Sequence, residues 1–224
     1  MFKNSIDGLD FTANRFLPNN CHLLIDSIEN RQSNLPPDES KYLGVMSRRR
    51  QKEFIGGRNI ARSAMSSLNS ENVPLSITRD EAGCPNWPAG MVGSISHKVN
   101  IVGAFVGYKK FYRSLGFDIE IVEPLDPNTW RYFAADEEMN SACIVNLEKT
   151  IYANMLFSIK ESIFKCLYPI YRDNAPKLIS LKPEIKLGKD GYTADYLYLK
   201  TKCFTFVYSN KDIIISCTLA TEIR

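Results

Sequence analysis

The sequence lacks long apolar runs and tracts of low complexity. No run approaches the ~20 apolar residues that a membrane-spanning helix needs, and the N-terminal stretch MFKNSIDGLDF has no charged segment followed by an apolar one, as a secretory signal would. We therefore expect a cytoplasmic protein without a transmembrane segment. With 44% hydrophobic and 24% charged residues in 224, the composition is that of a globular chain, neither disordered nor fibrous.

Closely spaced cysteines are also missing. The six cysteines are scattered and none forms a CxxC pair, so their spacing indicates neither a zinc site nor a disulfide framework. We expect reduced thiols that act mostly as small core residues. They are Cys21, Cys84, Cys143, Cys166, Cys203 and Cys217.

The sequence has little excess charge of either sign. A formal net charge of +3 is too small to indicate a polyanionic partner. The run Arg48-Arg49-Arg50 and a pI near 8.4 are compatible with an acidic partner or a phosphorylated ligand, without requiring one.

Hydrophobic periodicity predicts an α+β fold in which helix-then-strands occurs twice. No residue-by-residue repeat accompanies this, but the order suggests two similar halves, residues 1–113 and 114–224. The expected elements are a loop at Asn30–Ser40, a helix at Ser47–Leu68, an irregular segment at Asp80–Gly93, strands at Ile101–Tyr108 and Leu115–Val122, a helix at Asn154–Leu167 that stops at Pro169, and from Lys182 a β-rich tail with turns at Lys189–Gly191 and Asn210–Lys211.

Two acids share one face of the strand LGFDIEIV. Side chains two apart on a strand point the same way, so Asp118 and Glu120 project together, about 7 Å apart at Cα, while Phe117 faces the core. With one more acid, such a pair suits a hard cation such as Mg²⁺. The alternative is a solvated polar face on a half-buried strand.

The stretch FSIKESIFKCLYP supplies a candidate third acid. Glu161 and Lys165 are four apart and share a helix face, with Lys160 one position earlier. The alternative is a surface ion pair that contributes about 0.3–0.5 kcal/mol. An isolated histidine such as His97, after GSIS, is also more often structural than catalytic.

The combination and order of four stretches resemble the 4′-phosphopantetheinyl transferase superfamily. The resemblance is to its surfactin and enterobactin synthetase-activating type, closest to the enterobactin synthase component D branch. The stretches are RRRQKEFIGGRNIARSAM at Arg48–Met65, GCPNWPAGMVGSISHK at Gly83–Lys98, LGFDIE at 115–120, and FSIKESIFKCLYP at Phe157–Pro169.

The resemblance implies a fold of two α+β halves related by a pseudo-twofold axis, and a reaction with coenzyme A as co-substrate. The N-terminal half would bind the adenine and 3′-phosphate end. Arg50 and Arg58 match the family's basic positions for the 3′-phosphate, since guanidinium forks suit phosphate. Ser96 and His97 match the pair that contacts the adenine end and the phosphates.

The C-terminal half would carry the chemistry. Asp118, Glu120 and Glu161 match the family's acidic triad for Mg²⁺, or alternatively Mn²⁺. A carrier-protein serine would attack the β-phosphate of coenzyme A, which gives the holo carrier and adenosine 3′,5′-bisphosphate. Glu161 is the first candidate for the general base, directly or through water, with Lys160 and Lys165 stabilising charge at the pyrophosphate.

The resemblance also implies partners. These are apo acyl, aryl or peptidyl carrier proteins, and the branch points to a siderophore synthetase of the enterobactin type. We expect a monomer, which could also associate with a synthetase complex. One position departs from the family pattern, because Ala82 stands where many relatives carry a basic residue; a phosphate contact is then either missing there or supplied by Arg79, three residues earlier.

Two alternatives remain open at this stage. A metal-dependent nuclease could pair Asp118 with Glu184-Ile185-Lys186, although this leaves His97 and FSIKES unexplained. A non-catalytic module could bind nucleic acid through Arg48-Arg49-Arg50, and such binding would be salt-dependent and insensitive to substitution of the acids.

Overall fold

The computed structural model describes residues 13–30, 35–68, 76–140, 147–188, 191–210 and 212–223. Helices and two antiparallel sheets make the fold α+β, as predicted. The chain divides into two compact units, which we call unit 1 (Met1–Phe111) and unit 2 (Tyr112–Arg224).

Unit 1 is a three-stranded antiparallel sheet with one long helix packed on it. Its elements are β1 (Cys21–Ser27), α1 (Pro37–Ser40), α2 (Arg48–Leu68), β2 (Met91–Lys98) and β3 (Ile101–Tyr108), and the strand order is β1-β3-β2. The apolar face of α2, with Ile60 and Ala64, packs against Val102, Ala104 and Val106 of the central strand β3. The helix and β3 were both predicted, to within one residue.

Unit 2 is a five-stranded antiparallel sheet covered on one face by a long helix. Its elements are β4 (Ser114–Ile121), α3 (Pro127–Trp130), α4 (Asp136–Asn140), α5 (Lys149–Tyr171), β5 (Glu184–Gly188), β6 (Gly191–Tyr198), β7 (Thr201–Ser209) and β8 (Ile213–Glu222). The strand order is β4-β8-β7-β6-β5, so β4 and β5 are the two edges. Helix α5 packs against β4, β8 and β7.

Gly116 sets how closely α5 approaches β4. A Cβ added to Gly116 would overlap the carbonyl oxygen of Ser162 and lie 2.8 Å from the Cβ of Cys166. Gly116, Asp118 and Glu120 alternate along β4 and therefore share the face that α5 covers. The missing side chain brings the α5 backbone directly over the two acids.

Several boundaries differ from the predictions. Helix α5 begins at Lys149 and does not stop at Pro169. Pro169 lies in the last turn, so few residues of the helix follow the hydrogen bond that it removes, and the helix ends at Tyr171, before Arg172, whose φ is 52°. Strand β2 starts at Met91, inside the segment predicted to be irregular.

Residues 31–34 of the predicted loop Asn30–Ser40 lie outside the described residues, and its last four residues form α1, since a proline at the start of α1 favours a helical turn. Strand β1 and the β6–β7 hairpin through Leu199 and Lys200 were not predicted. The β-rich tail is confirmed. The turn residues Lys189, Asp190 and Lys211 lie outside the described residues.

Four of the predicted core cysteines are buried, namely Cys21, Cys166, Cys203 and Cys217. Cys84 is partly exposed, and Cys143 lies outside the described residues. Within the described ranges, none of the helices combines the length and the apolar character needed to cross a membrane.

Candidate functional site

In unit 1, the carboxylate of Glu53 collects three nitrogen-bearing side chains. Arg49 Nε lies 3.0 Å from its Oε1, Arg50 Nη1 lies 3.2 Å from its Oε2, and His97 Nε2 lies 3.5 Å from its Oε2. Residues three and four apart on α2 share a face, which places both arginines beside Glu53. His97 comes from β2.

The charges around Glu53 overcome its burial. Burial raises the pKa of this carboxyl, but the charge that His97 carries when protonated and the hydrogen bonds from Arg50 and Arg49 together outweigh it, and the pKa of Glu53 falls below its usual value. Glu53 is therefore ionised at neutral pH.

Arg50 and His97 also contact each other. Arg50 Nη1 lies 2.6 Å from His97 Nε2. Because guanidinium nitrogens only donate hydrogen bonds, we assign Nε2 as the acceptor and the imidazole as neutral in this arrangement. The arrangement joins two side chains that were predicted to bind phosphate, and adds Glu53, which was not predicted.

Arg58, the other predicted 3′-phosphate ligand, is buried. Its Nε donates to the Ile77 carbonyl at 2.7 Å, and its guanidinium carbon lies 4.5 Å from the Phe54 ring centre. Burial lowers the pKa of Arg58 to about 10, partly countered by Glu39. In this structure the guanidinium ties α2 to the backbone at Ile77, and its contact with a phosphate stays a prediction.

The remaining predicted residues of unit 1 occupy β2 and the segment before it. Ser96 is buried on β2, opposite Gly103 of β3. The Arg79 guanidinium stacks on the Tyr42 ring, with its carbon 4.9 Å from the ring centre, and Ala82 is exposed. Whether Arg79 replaces the basic residue missing at Ala82 stays a prediction.

In unit 2, the two acids of β4 are buried. Asp118 is 3% exposed and Glu120 is 8% exposed, and every residue of β4 is buried on both faces. The interpretation as a solvated polar face is therefore wrong. The two acids are buried because α5 packs over this face of β4, a contact that the pattern of the strand alone does not predict.

Lys165 of α5 is the cation at these acids. Its Nζ lies 2.6 Å from Asp118 Oδ1 and 3.9 Å from Glu161 Oε2. Burial lowers the pKa of Lys165, but the negative charges of Asp118, Glu161 and Glu120 raise it by more, so the net shift is upward. The charges of all three predicted metal ligands therefore raise the pKa of this one ammonium, and two of the three lie within 4 Å of it.

The pKa of Glu161 is also raised, which for a carboxyl disfavours the charged form. Burial raises its pKa, Lys165 lowers it and the neighbouring Asp118 raises it, with a net rise above 4.5. A carboxylate whose pKa moves toward neutrality is a better proton acceptor than an ordinary one. Glu161 thus has the electrostatic character of a candidate general base.

Lys160 points elsewhere. Its ammonium is fully buried, donates to the Phe133 carbonyl at 2.6 Å and pairs with Glu138 Oε1 at 2.7 Å. Burial lowers the pKa of Lys160, partly offset by Glu138. Glu138 Oε2 in turn accepts from the Ala135 amide at 3.0 Å, so Lys160 anchors the start of α4. A contact of Lys160 with phosphate stays a prediction.

The donors at Lys165 fit a divalent cation. Carboxylate oxygens are hard ligands, and Mg²⁺ commonly takes one or two of them together with water and substrate phosphates. As the side chains lie here, no group of three His, Cys, Asp or Glu in the described ranges is arranged to hold a metal. The acids therefore suit a site completed by ligand phosphate, with Lys165 displaced from Asp118.

Sequence reasoning missed two residues of these clusters. Glu53 had a signal, since it follows Arg49 and Arg50 by four and three positions on a predicted helix. Glu138 had none, because its contact with Lys160 depends on how α4 and α5 pack.

The geometry of unit 2 argues against the nuclease alternative. Glu184 and Lys186 lie on β5, at the opposite edge of the sheet from Asp118 on β4. Four strand spacings of about 4.8 Å separate these edges, about 19 Å in all. Lys186 instead pairs with Glu184 at 3.2 Å and with Asp195 at 3.4 Å. These residues cannot share a metal ion with Asp118.

Comparison with known proteins points to one superfamily. Residues 38–107 match the family model of the 4′-phosphopantetheinyl transferase N-terminal domain. Similar curated proteins include 4′-phosphopantetheinyl transferase Svp of Streptomyces mobaraensis, 31% identical over 66% of this chain and 61% of the relative. PptT of Mycobacterium tuberculosis is 30% identical over 60% of this chain and 58% of the relative. Npt of Nocardia iowensis is 29% identical over 60% and 59%, respectively.

The chain spans about three fifths of the length of the curated relatives that it matches. Each match is to a protein named 4′-phosphopantetheinyl transferase or to the N-terminal domain model of that name, which is the superfamily that the four sequence stretches resemble. The enterobactin synthase component D branch is not confirmed by these matches.

Proposed function

We propose that this chain transfers the 4′-phosphopantetheine group of coenzyme A to a serine of an apo carrier protein. The observation that carries the proposal is that Asp118 and Glu161 lie 2.6 Å and 3.9 Å from the ammonium of Lys165, with Glu120 buried on the same face of β4 as Asp118. Such a cluster can hold a metal–pyrophosphate group, and the similarity to named 4′-phosphopantetheinyl transferases supplies the substrate class.

The two clusters have separate roles in this proposal. In unit 1, Arg50 and His97 bind the 3′-phosphate, and Ser96 lies beside His97 on β2; Arg58 supports this part of α2. In unit 2, Asp118, Glu120 and Glu161 would hold Mg²⁺, or Mn²⁺, at the pyrophosphate end of coenzyme A. When bound, the metal neutralises charge on the phosphates.

The reaction needs a proton acceptor and a cation. Glu161 accepts the proton of the carrier serine, directly or through water, as the serine oxygen bonds to the β-phosphorus. The bond from that phosphorus to the bridging oxygen breaks, and adenosine 3′,5′-bisphosphate leaves with its electron pair. Lys165, whose ammonium lies 2.6 Å from Asp118, would supply the positive charge that stabilises the pyrophosphate.

The partner is an acyl, aryl or peptidyl carrier domain. The net charge of +3 suits the acidic helix that carrier domains present, mainly by raising the association rate. We further propose a cytoplasmic monomer that activates a siderophore synthetase of the enterobactin type, alone or in association with the synthetase.

The test is intact-mass spectrometry of apo aryl, peptidyl and acyl carrier domains after incubation with coenzyme A, Mg²⁺ and the protein. We expect a mass gain of one phosphopantetheine on the carrier, lost with EDTA. Faster modification of the aryl carrier would support the siderophore assignment, and preference for an acyl carrier would contradict it.

The variants Asp118→Asn and Glu161→Gln test the site. Each should lower the transfer rate by at least ~10²-fold, the usual contribution of a general base or a charge-stabilising group. Glu184→Gln, an exposed acid on β5, is the matched control and should transfer at the wild-type rate. No transfer to any carrier by folded protein would refute the proposal.

A further inference from the structure

We infer that Glu53 is a positioning residue that holds Arg50 and His97 in the orientation in which they bind the 3′-phosphate of coenzyme A. The inference rests on the proposed function, which assigns Arg50 and His97 to phosphate. It adds to a phosphate-binding site a negatively charged residue, which would not itself touch the ligand.

The first support is the layering of the cluster. The side chain of Glu53 is 8% exposed, whereas Arg50 is 49% exposed and His97 is 31% exposed. The carboxylate therefore lies beneath two side chains whose outer parts remain open to a ligand. A buried charge needs partners, and Arg50 and Arg49 provide them by donating to the two carboxylate oxygens.

The second support is that Glu53 connects two elements. Glu53 Oε2 accepts from Arg50 Nη1 on its own helix at 3.2 Å, and the same nitrogen donates to His97 Nε2 on β2 at 2.6 Å. The carboxylate thus fixes the guanidinium that reaches the imidazole, and the three side chains form one hydrogen-bonded chain across two elements of unit 1. Without this anchor each side chain would have to be ordered when the ligand binds, at an entropic cost.

Because Glu53 is negatively charged, the two possible consequences of losing it change the affinity for coenzyme A in opposite directions. A carboxylate near a phosphate repels it, so loss of the charge alone would strengthen binding of coenzyme A. Loss of orientation would weaken binding. Glu53 can aid phosphate binding only if the effect on orientation is the larger one.

The experiment measures calorimetric binding of coenzyme A and of 3′-dephospho-coenzyme A to wild type and Glu53→Gln, alongside steady-state transfer. We expect Glu53→Gln to weaken coenzyme A binding about tenfold and to leave 3′-dephospho-coenzyme A within about twofold, with kcat at saturating coenzyme A unchanged. Glu29→Gln removes an exposed acid of unit 1 and should change neither affinity.

An Arg50→Ala background tests the coupling. If Glu53 acts through Arg50, adding Glu53→Gln there should have much less effect on the ratio of the two affinities. Glu53→Asp, which keeps the charge, should recover part of the coenzyme A affinity. If Glu53→Gln does not fold, Glu53→Asp serves as the test variant, because its shorter side chain should change the ratio in the same direction.

Three results would overturn the inference. They are tighter binding of coenzyme A by Glu53→Gln, equal weakening of both ligands, and an unchanged ratio. Wild-type protein that binds both ligands equally well would also overturn it, because the cluster would then not recognise the 3′-phosphate. Since binding is measured without turnover, failure of transfer alone would count against the proposed function and not against the role of Glu53.

Discussion

Replacing Gly116 with alanine should separate α5 from β4 and disable the acidic cluster. The new Cβ would overlap the Ser162 carbonyl oxygen and would lie 2.8 Å from Cys166 Cβ and 2.9 Å from Cys166 N. Two of these three atoms belong to the α5 backbone, so no side-chain rotation relieves the overlap. The helix itself has to move.

The size of the effect follows from this rigidity. Overpacking a core costs about 1–3 kcal/mol when side chains can adjust, so we expect Gly116→Ala to lower the free energy of unfolding by about 3 kcal/mol or more. Lys165 lies one turn beyond Ser162 and contacts Asp118 at 2.6 Å. A shift of about 1 Å at a reacting centre can cost about 10²-fold in rate, and we expect transfer to fall by about that factor.

Urea unfolding and intact-mass transfer assays check both expectations. Gly44→Ala is the matched control, because a Cβ at Gly44 meets no atom within 4 Å. We expect the control to retain wild-type activity and to gain up to about 1 kcal/mol from reduced freedom of the unfolded chain. If Gly116→Ala unfolds within about 0.5 kcal/mol of wild type, then α5 does not lie over Gly116 as described.

Further predictions concern the two lysines and Glu161. Lys160→Met should lower the free energy of unfolding by about 3 kcal/mol, because it leaves Glu138 without its buried partner. If the variant instead has unchanged stability in urea and a raised KM for coenzyme A, then Lys160 is a phosphate ligand. The raised pKa of Glu161 should place the acid limb of kcat above pH 4.5, with the rate increasing as Glu161 loses its proton; a limb at or below pH 4.5 would contradict its role as base. The raised pKa of Lys165 means that its pairing stabilises the folded protein below the unfolded pKa of about 10.4, and this stability is lost as pH rises through the higher folded pKa. In urea unfolding measured across alkaline pH, a Lys165→Met variant should lack this loss. An alkaline profile identical to that of wild type would contradict the pairing.

Local pattern was enough to predict the elements that carry the acids. Alternation along β4 placed Asp118 and Glu120 on one face, and spacing on α5 placed Glu161 beside Lys165. These relations depend only on the periods of a strand and a helix. They hold regardless of what packs against the element.

Burial and partner choice could not be predicted in the same way. The acids of β4 are buried because α5 passes directly over Gly116, a contact between residues 46 positions apart that no local pattern reports. Lys160 and Lys165 resemble each other in sequence, yet the first pairs with Glu138 and the second with Asp118. Only the packing of α5 against α4 and β4 distinguishes them.

The central claim is tested most directly by measuring both products of one reaction. Apo carrier, coenzyme A, Mg²⁺ and the protein should yield adenosine 3′,5′-bisphosphate and phosphopantetheinylated carrier in equal amounts, and neither product with a carrier whose target serine is alanine. Release of adenosine 3′,5′-bisphosphate without carrier modification would indicate hydrolysis of coenzyme A and would contradict the account. Absence of both products with every carrier class would contradict it as well.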